Sequence, residues 1–346
     1  MVASVVIGLV AVPRALRRGK GLSRGAGVSY SVGMAAPLEA NYSALKAAAA
    51  VSLRGDATTE ALVTCIRQSL ELLAALPRID LQSKVPGKEY FAFGSANPAR
   101  VSRGINVALF VDDIDEVVEV LRTVITRDIP ATPLELHRAL YTAAISYPAG
   151  VDVTKTGDKK TPGTYFENFV GHLVARAFDA DATKTITAPT LDLEISLPTD
   201  FIFDLGEGKS RIHLPVKAST RERVVQVWAH QRVLDGMHGV NRFRGVLVVL
   251  AETNKIGTTA ITEVCLPNQW TAYQMYIAQM HRVYYLDLPE PYRGLRATYP
   301  FLEVKPFADF FYECEEIANP TLAVTDLVEP ATPPASLVGL PEDYEV

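Results

Sequence analysis

Two short runs of strand-like sequence joined by a glycine turn commit the middle of this chain to an antiparallel β-hairpin. The first is Leu197-Pro198-Thr199-Asp200-Phe201-Ile202-Phe203-Asp204, the turn is Gly206-Glu207-Gly208-Lys209, and the second is Ile212-His213-Leu214-Pro215-Val216-Lys217. Leu191, Leu193, Ile195 and Leu197 alternate with other residues, as do Ile212, Leu214 and Val216, and a turn of this composition favours pairing of the runs it joins. Residues two apart on a strand share a face, so Asp200, Ile202 and Asp204 point one way on the first strand. His213, Pro215 and Lys217 share a side of the second, and pairing across the hairpin brings Lys217 near Asp200.

Around this hairpin the periodicities alternate between helix and strand. Residues 37–76 are rich in Ala and Leu at helical spacing, 105–111 read as a short buried strand, and 113–124 read as a capped helix. Residues 37–150 are therefore expected to be mostly helical. The stretch 157–164 has turn chemistry and no period. Phe166, Phe169, Val170, Leu173, Val174, Ala177 and Phe178 then mark the buried stripe of a helix, with Glu167 at its edge. Beyond the hairpin, 219–235 predict a helix, 245–251 and 261–266 strands, and 268–285 a last helix whose Trp270, Tyr273, Ile277, Met280 and Tyr284 form a core stripe.

That order describes an α/β (α+β) protein with a mixed central sheet flanked by helices. Four regions follow: a leader at 1–33, a mainly helical N-terminal region at 34–155, a core at 156–310 and an acidic, proline-rich tail at 311–346. The leader carries five basic residues, Arg14, Arg17, Arg18, Lys20 and Arg24, and no acidic ones. It is expected to be a disordered segment or the product of an upstream start codon, with Met34 opening the folded protein. A chain of 346 residues that is 48% hydrophobic can bury a large core. No apolar run is long enough to cross a membrane, and Cys65, Cys265 and Cys314 lack disulfide-framework or zinc spacing. A soluble, cytoplasmic protein is the expectation.

The net charge of −5 argues against nucleic-acid binding only if charge is spread evenly, and it is not. Between Lys209 and Arg244 there are eight Lys and Arg against Glu222 and Asp235, whereas beyond Lys305 there are nine acids and no Lys or Arg. The hairpin region is basic. Cleaving a phosphodiester calls for a divalent cation that offsets charge in the transition state and activates water, and hard cations such as Mg2+ take carboxylate and carbonyl oxygens. Asp200 is the first candidate ligand. Arg221 and Arg223, at a helix N-terminus where backbone amides already favour phosphate, and Lys209 and Arg211 in the turn are candidate DNA contacts. No histidine pair has zinc-site spacing.

The arrangement resembles the PD-(D/E)xK nuclease superfamily, and the run Val216-Lys217-Ala218-Ser219-Thr220-Arg221-Glu222-Arg223 resembles type II restriction endonucleases in particular. The resemblance covers roughly residues 163–266. It implies a restriction-endonuclease-like core, Mg2+ as cofactor, double-stranded DNA as substrate, a homodimer and a separately encoded DNA methyltransferase as partner. Pro198-Thr199-Asp200 matches the "PD" element with one residue inserted, making Asp200 the metal-binding aspartate. Lys217 matches the motif lysine, and Glu167 matches the glutamate on the helix before the core sheet.

The chain departs from the motif at Pro215, which stands where the second acid belongs. Some restriction enzymes carry that acid on the following helix. Glu222 is ranked first for this role and Glu167 close beside it, with Asp204, Asp235, Gln226 and Gln231 as further possibilities. Glu222 also lies three residues after Ser219, the spacing of a capping box, a purely structural role. The alternatives to a restriction enzyme are a repair or structure-specific nuclease of the same fold, or a DNA-binding protein whose active site has lapsed.

Overall fold

A computed structural model describes residues 27–94, 100–155, 157–158, 160–187, 196–221 and 224–319, with side chains excepted at 27–35, 187 and 196–199. The expected leader residues 1–26, the alternation at 191–195, Glu222, Arg223 and the acidic residues of 320–346 lie outside the described residues.

The chain opens with α1 (Gly27–Val51) and α2 (Asp56–Ala74), then adds β1 (Arg78–Ser83), β2 (Tyr90–Phe93) and β3 (Ile105–Asn106), before α3 (Ile114–Thr126), α4 (Pro133–Thr154) and α5 (Thr161–Phe178). The hairpin region follows as β4 (Ala182–Thr187), β5 (Ser196–Phe203), β6 (Arg211–Leu214) and β7 (Val216–Lys217), and then α6 (Val224–His238) and β8 (Phe243–Val249). After β9 (Thr253–Ile256), β10 (Ala260–Glu263) and α7 (Pro267–Tyr276) come β11 (Met280–Tyr285), α8 (Glu290–Arg293), α9 (Leu295–Thr298), β12 (Val304–Pro306) and α10 (Phe310–Ala318).

Two sheets form. The larger has the order β12-β11-β8-β6-β5-β4, with β7 continuing β6 alongside β8, and the smaller has the order β3-β2-β1-β10-β9. In the larger sheet β4, β5 and β6 run antiparallel as the glycine turn demands, whereas β6, β7, β11 and β12 join it through parallel pairs. The central strand β8 is buried along its whole length, and its period of two divides the interior. Val246 and Val248 enter the main core with α1 to α5, while Leu247 and Val249 enter a second core with Trp228 of α6 and Trp270 of α7. On β5, Phe201 and Phe203 face the first layer and Ile202 meets Leu234 of α6. The sheet is thus sandwiched, and Asp200 shares the α6 side with Ile202.

Two expectations need correction. Besides the strand read over 105–111, where β3 lies, the region 37–150 contains β1 and β2, which the helical reading did not include. All four residues of β2 are buried, which removes the alternation that identifies a strand. The helix expected over 268–285 stops at Tyr276, and Met280–Tyr285 is a strand. Gln274 explains the break: its amide donates to the Met280 carbonyl at 2.8 Å, its oxygen accepts from Met280 N–H at 3.0 Å, and the same oxygen accepts from Trp228 Nε1 at 3.0 Å. One side chain thus does locally what a ladder partner would. The aromatic stripe of this region is core, with Trp270 stacked on Tyr292 at 4.4 Å.

Candidate active site

The hairpin register sets the site. Phe201 pairs with Leu214 and Ile202 with His213, which puts Asp200 opposite Pro215, where β6 gives way to β7. Proline has no N–H, so the next donor, Val216 N–H, bonds the Asp200 carboxylate at 2.8 Å. Lys217 Nζ meets the same oxygen, Oδ2, at 2.5 Å, and both side chains remain partly exposed. Pro215 thus occupies the position of the motif acid and leaves Val216 free to clamp Asp200. The carbonyls of Pro215 and Lys217 accept from Val248 of β8 and from Leu250 just beyond it. Alternation along the strand then turns the Val216 carbonyl away from β8, to the side on which its N–H meets Asp200.

Glu167 approaches from α5. Burial first, and then the negative charge of Asp200, hold its carboxyl above the ordinary carboxylate range, while Lys184, Lys217 and Lys160 pull it back. Gly171, one helical turn further along α5, makes the approach possible. A methyl group on it would lie 2.6 Å from Cζ of Phe201, the residue beside Asp200. Gly171→Ala should therefore lift α5 from β5, destabilise the fold by about 1–3 kcal/mol and move Glu167 out of reach. Adding Phe201→Leu should restore stability in thermal unfolding, and failure to restore it would mean that this contact does not set the α5–β5 distance.

The other candidates are scattered. Asp204 bonds Arg211 Nε at 2.9 Å at the exposed turn, so it does not join Asp200. Lys209 and Arg211 lie at that same end of the hairpin, and Arg211 is six residues, roughly 20 Å of strand, from Lys217. Gln231 is buried in a local network: its oxygen accepts from His213 Nδ1 at 3.0 Å, and its amide donates to Asp235 at 2.9 Å and to the Phe243 carbonyl at 2.8 Å. Burial lowers His213 to about 4, so it is a neutral imidazole bearing its proton on Nδ1. Arg221 donates to the Thr253 carbonyl at 2.6 Å. Among the described residues no cluster of three His, Cys, Asp or Glu side chains assembles to hold a metal ion.

Sequence reasoning missed Glu252. It follows β8, is fully buried, and its Oε1 accepts from Thr220 N–H at 3.0 Å, from Thr220 Oγ1 at 2.5 Å and from the Tyr285 hydroxyl at 2.7 Å. These bonds anchor the segment between Lys217 and α6. The available signal was an acid directly after a wholly apolar strand, Val246-Leu247-Val248-Val249-Leu250-Ala251, where a solvated carboxylate is out of place.

No known family model matches the sequence, and no curated protein matches it. The structure does find counterparts. It superposes on the crystal structure of the Type IIP restriction endonuclease Kpn2I with a TM-score of 0.68, at 23% identity, over 81% of this chain and 96% of that one. The chain has a type II restriction endonuclease fold. A looser superposition, with a TM-score of 0.39 at 14% identity, covers 59% of this chain and 90% of the restriction endonuclease PspGI, solved with its substrate DNA. Within the restriction endonuclease fold the Asp200–Lys217 pair lies on the central hairpin, and the expected mixed sheet flanked by helices is present. No helix among the described residues is long and apolar enough to cross a membrane.

Proposed function

We propose that this protein is a type II restriction endonuclease, a Mg2+-dependent enzyme that hydrolyses double-stranded DNA at a short sequence and leaves 5'-phosphate and 3'-hydroxyl ends. It acts as a homodimer, because a two-fold protein matches a palindromic site, and beside a separately encoded methyltransferase. The observation that carries this reading is the Asp200 carboxylate held between Val216 N–H and Lys217 Nζ on the hairpin of a restriction endonuclease fold.

The residues present suit Mg2+, which keeps several waters and needs only one or two carboxylates besides phosphate oxygens. Asp200 and Glu167 are close enough for one charge to hinder ionisation of the other, a repulsion that a divalent cation relieves. Asp200, Glu167 and the Val216 carbonyl are the groups that would hold it. When bound, Mg2+ supplies charge compensation at the scissile phosphate and lowers the pKa of water. The Lys217 ammonium then orients the attacking water or stabilises negative charge on the phosphate oxygens, and Val216 N–H keeps Asp200 from rotating. Glu222, outside the described residues, is proposed as the acid that Pro215 cannot supply.

Incubation with unmethylated phage DNA, with Mg2+ or with EDTA, tests the reading by gel electrophoresis. Discrete Mg2+-dependent bands support it; a smear favours a nonspecific or repair nuclease; intact DNA at high enzyme excess favours a lapsed, DNA-binding protein.

The acid side of the pH profile adds a test. Glu167 acts ionised, so activity is present above its pKa and falls as pH drops through it. Lys184 lowers that pKa, and Lys184→Gln should therefore shift the acidic limb of cleavage to higher pH. An unmoved limb in pH–rate measurements would remove Glu167 from the chemistry.

A further inference from the structure

A cleft of about 530 Å3 lies where the smaller sheet meets the segment after Lys217, between β9, residues 101–104 and the end of α4. Four cations line it, Arg103, Lys155, Arg221 and Lys255, against two carboxylates, Asp152 and Asp158. Two of the cations are neutralised where they stand. Arg103 forks onto Asp152 at 2.8 and 3.0 Å, and Lys155 bonds Glu39 at 2.9 Å with Asp158 at 3.8 Å.

The other two are fixed by neutral oxygens. Lys255 Nζ donates to the carbonyls of Val101 at 2.8 Å and Ser102 at 2.7 Å, which leaves one of its three N–H bonds over. Arg221 gives one nitrogen to the Thr253 carbonyl, and its Nε has no partner among the described residues. Glu252 feels the charge of Arg221, but its oxygens are taken by Thr220 and Tyr285. Carbonyls orient a cation without cancelling its charge. Thr253 and Lys255 are two residues apart on β9, so one strand ties both cations to the same cleft. Burial also disfavours the charged form of Lys255, a cost that an arriving anion offsets.

We infer that Arg221 and Lys255 form a subsite for a DNA backbone phosphate within a few nucleotides of the one cleaved. Arg221 is four residues after Lys217, at most about 14 Å of chain, which corresponds to a few nucleotides of the same strand at ~3.4 Å each. The smaller sheet thereby contributes Lys255 to the DNA-binding surface, a role that rests on DNA being the substrate.

The test is the salt dependence of binding to a labelled random-sequence duplex of about 30 base pairs in EDTA, followed by fluorescence anisotropy, where each phosphate contact contributes about 0.9 to the slope of log K against log salt. Lys255→Gln should lower that slope by about one contact and weaken binding severalfold at low salt, whereas Lys255→Arg keeps both near wild type. An unchanged slope in a folded Lys255→Gln protein overturns the subsite while wild-type binding still supports the DNA reading. Loss of salt-dependent binding by the wild type overturns both. Should Lys255→Gln fail to fold, Arg221→Gln carries the same expectation, since only one carbonyl contact is lost.

Discussion

Asp200→Asn is expected to abolish DNA cleavage, by a factor of at least about a thousand, while leaving a folded protein. Asparagine keeps an oxygen in the place where Val216 N–H donates, so the strand switch at Pro215 survives, yet the negative charge facing Lys217 is gone. Lys217→Ala should have a comparable effect on cleavage. The pair is partly exposed, so its removal costs little stability; solvent reaches whichever partner is left. Single-turnover cleavage of phage DNA and thermal unfolding, measured on the same preparations, separate the two effects. Cleavage at the wild-type rate by either folded variant would move the chemistry elsewhere in the molecule.

The pair was legible in the sequence because everything that creates it is local. A period of two, a glycine turn and a fixed register decide which residues of β5 face which residues of β6 and β7, and the proposed carboxylate and lysine follow. Glu167 could be named only from a resemblance, since its distance from Asp200 depends on how closely a helix packs on a strand. Gly171 and Phe201 govern that distance across a separation of thirty residues. Lys209 and Arg211 show the opposite error, in that closeness in sequence to Lys217 becomes distance when the intervening chain is extended. In the smaller sheet β3 and β10 fall on runs that read as strands, whereas β2 was hidden in a region read as mostly helical, because burial of all four of its residues erases alternation. The helix that ends at Tyr276 was overrun because a side chain, Gln274, rather than a glycine or proline, redirects the chain.

Glu252→Ala is the second large effect, and it is expected to appear in stability as well as activity. The carboxylate is fully buried and one of its oxygens accepts three bonds, two from Thr220 and one from Tyr285. Alanine strands these donors in the interior, at a cost of about 3 kcal/mol. The loosened segment carries Lys217 at one end and Arg221 at the other, so cleavage should fall with it. Glu252→Gln separates charge from hydrogen bonding. Burial, the largest influence, pushes the Glu252 carboxyl above its ordinary range. A raised value means that the folded chain holds the proton more tightly than the unfolded one, so this contribution is full at low pH and is lost as pH rises through the folded value. Glutamine cannot lose that proton. Its stability should therefore lie near wild type in acid and gain on it as pH climbs past the ordinary carboxylate range, in denaturant melts taken across that window. Curves for Glu252→Gln and wild type that stay parallel throughout would show that Glu252 carries the same charge folded and unfolded, and would leave hydrogen bonding alone to account for the loss in Glu252→Ala.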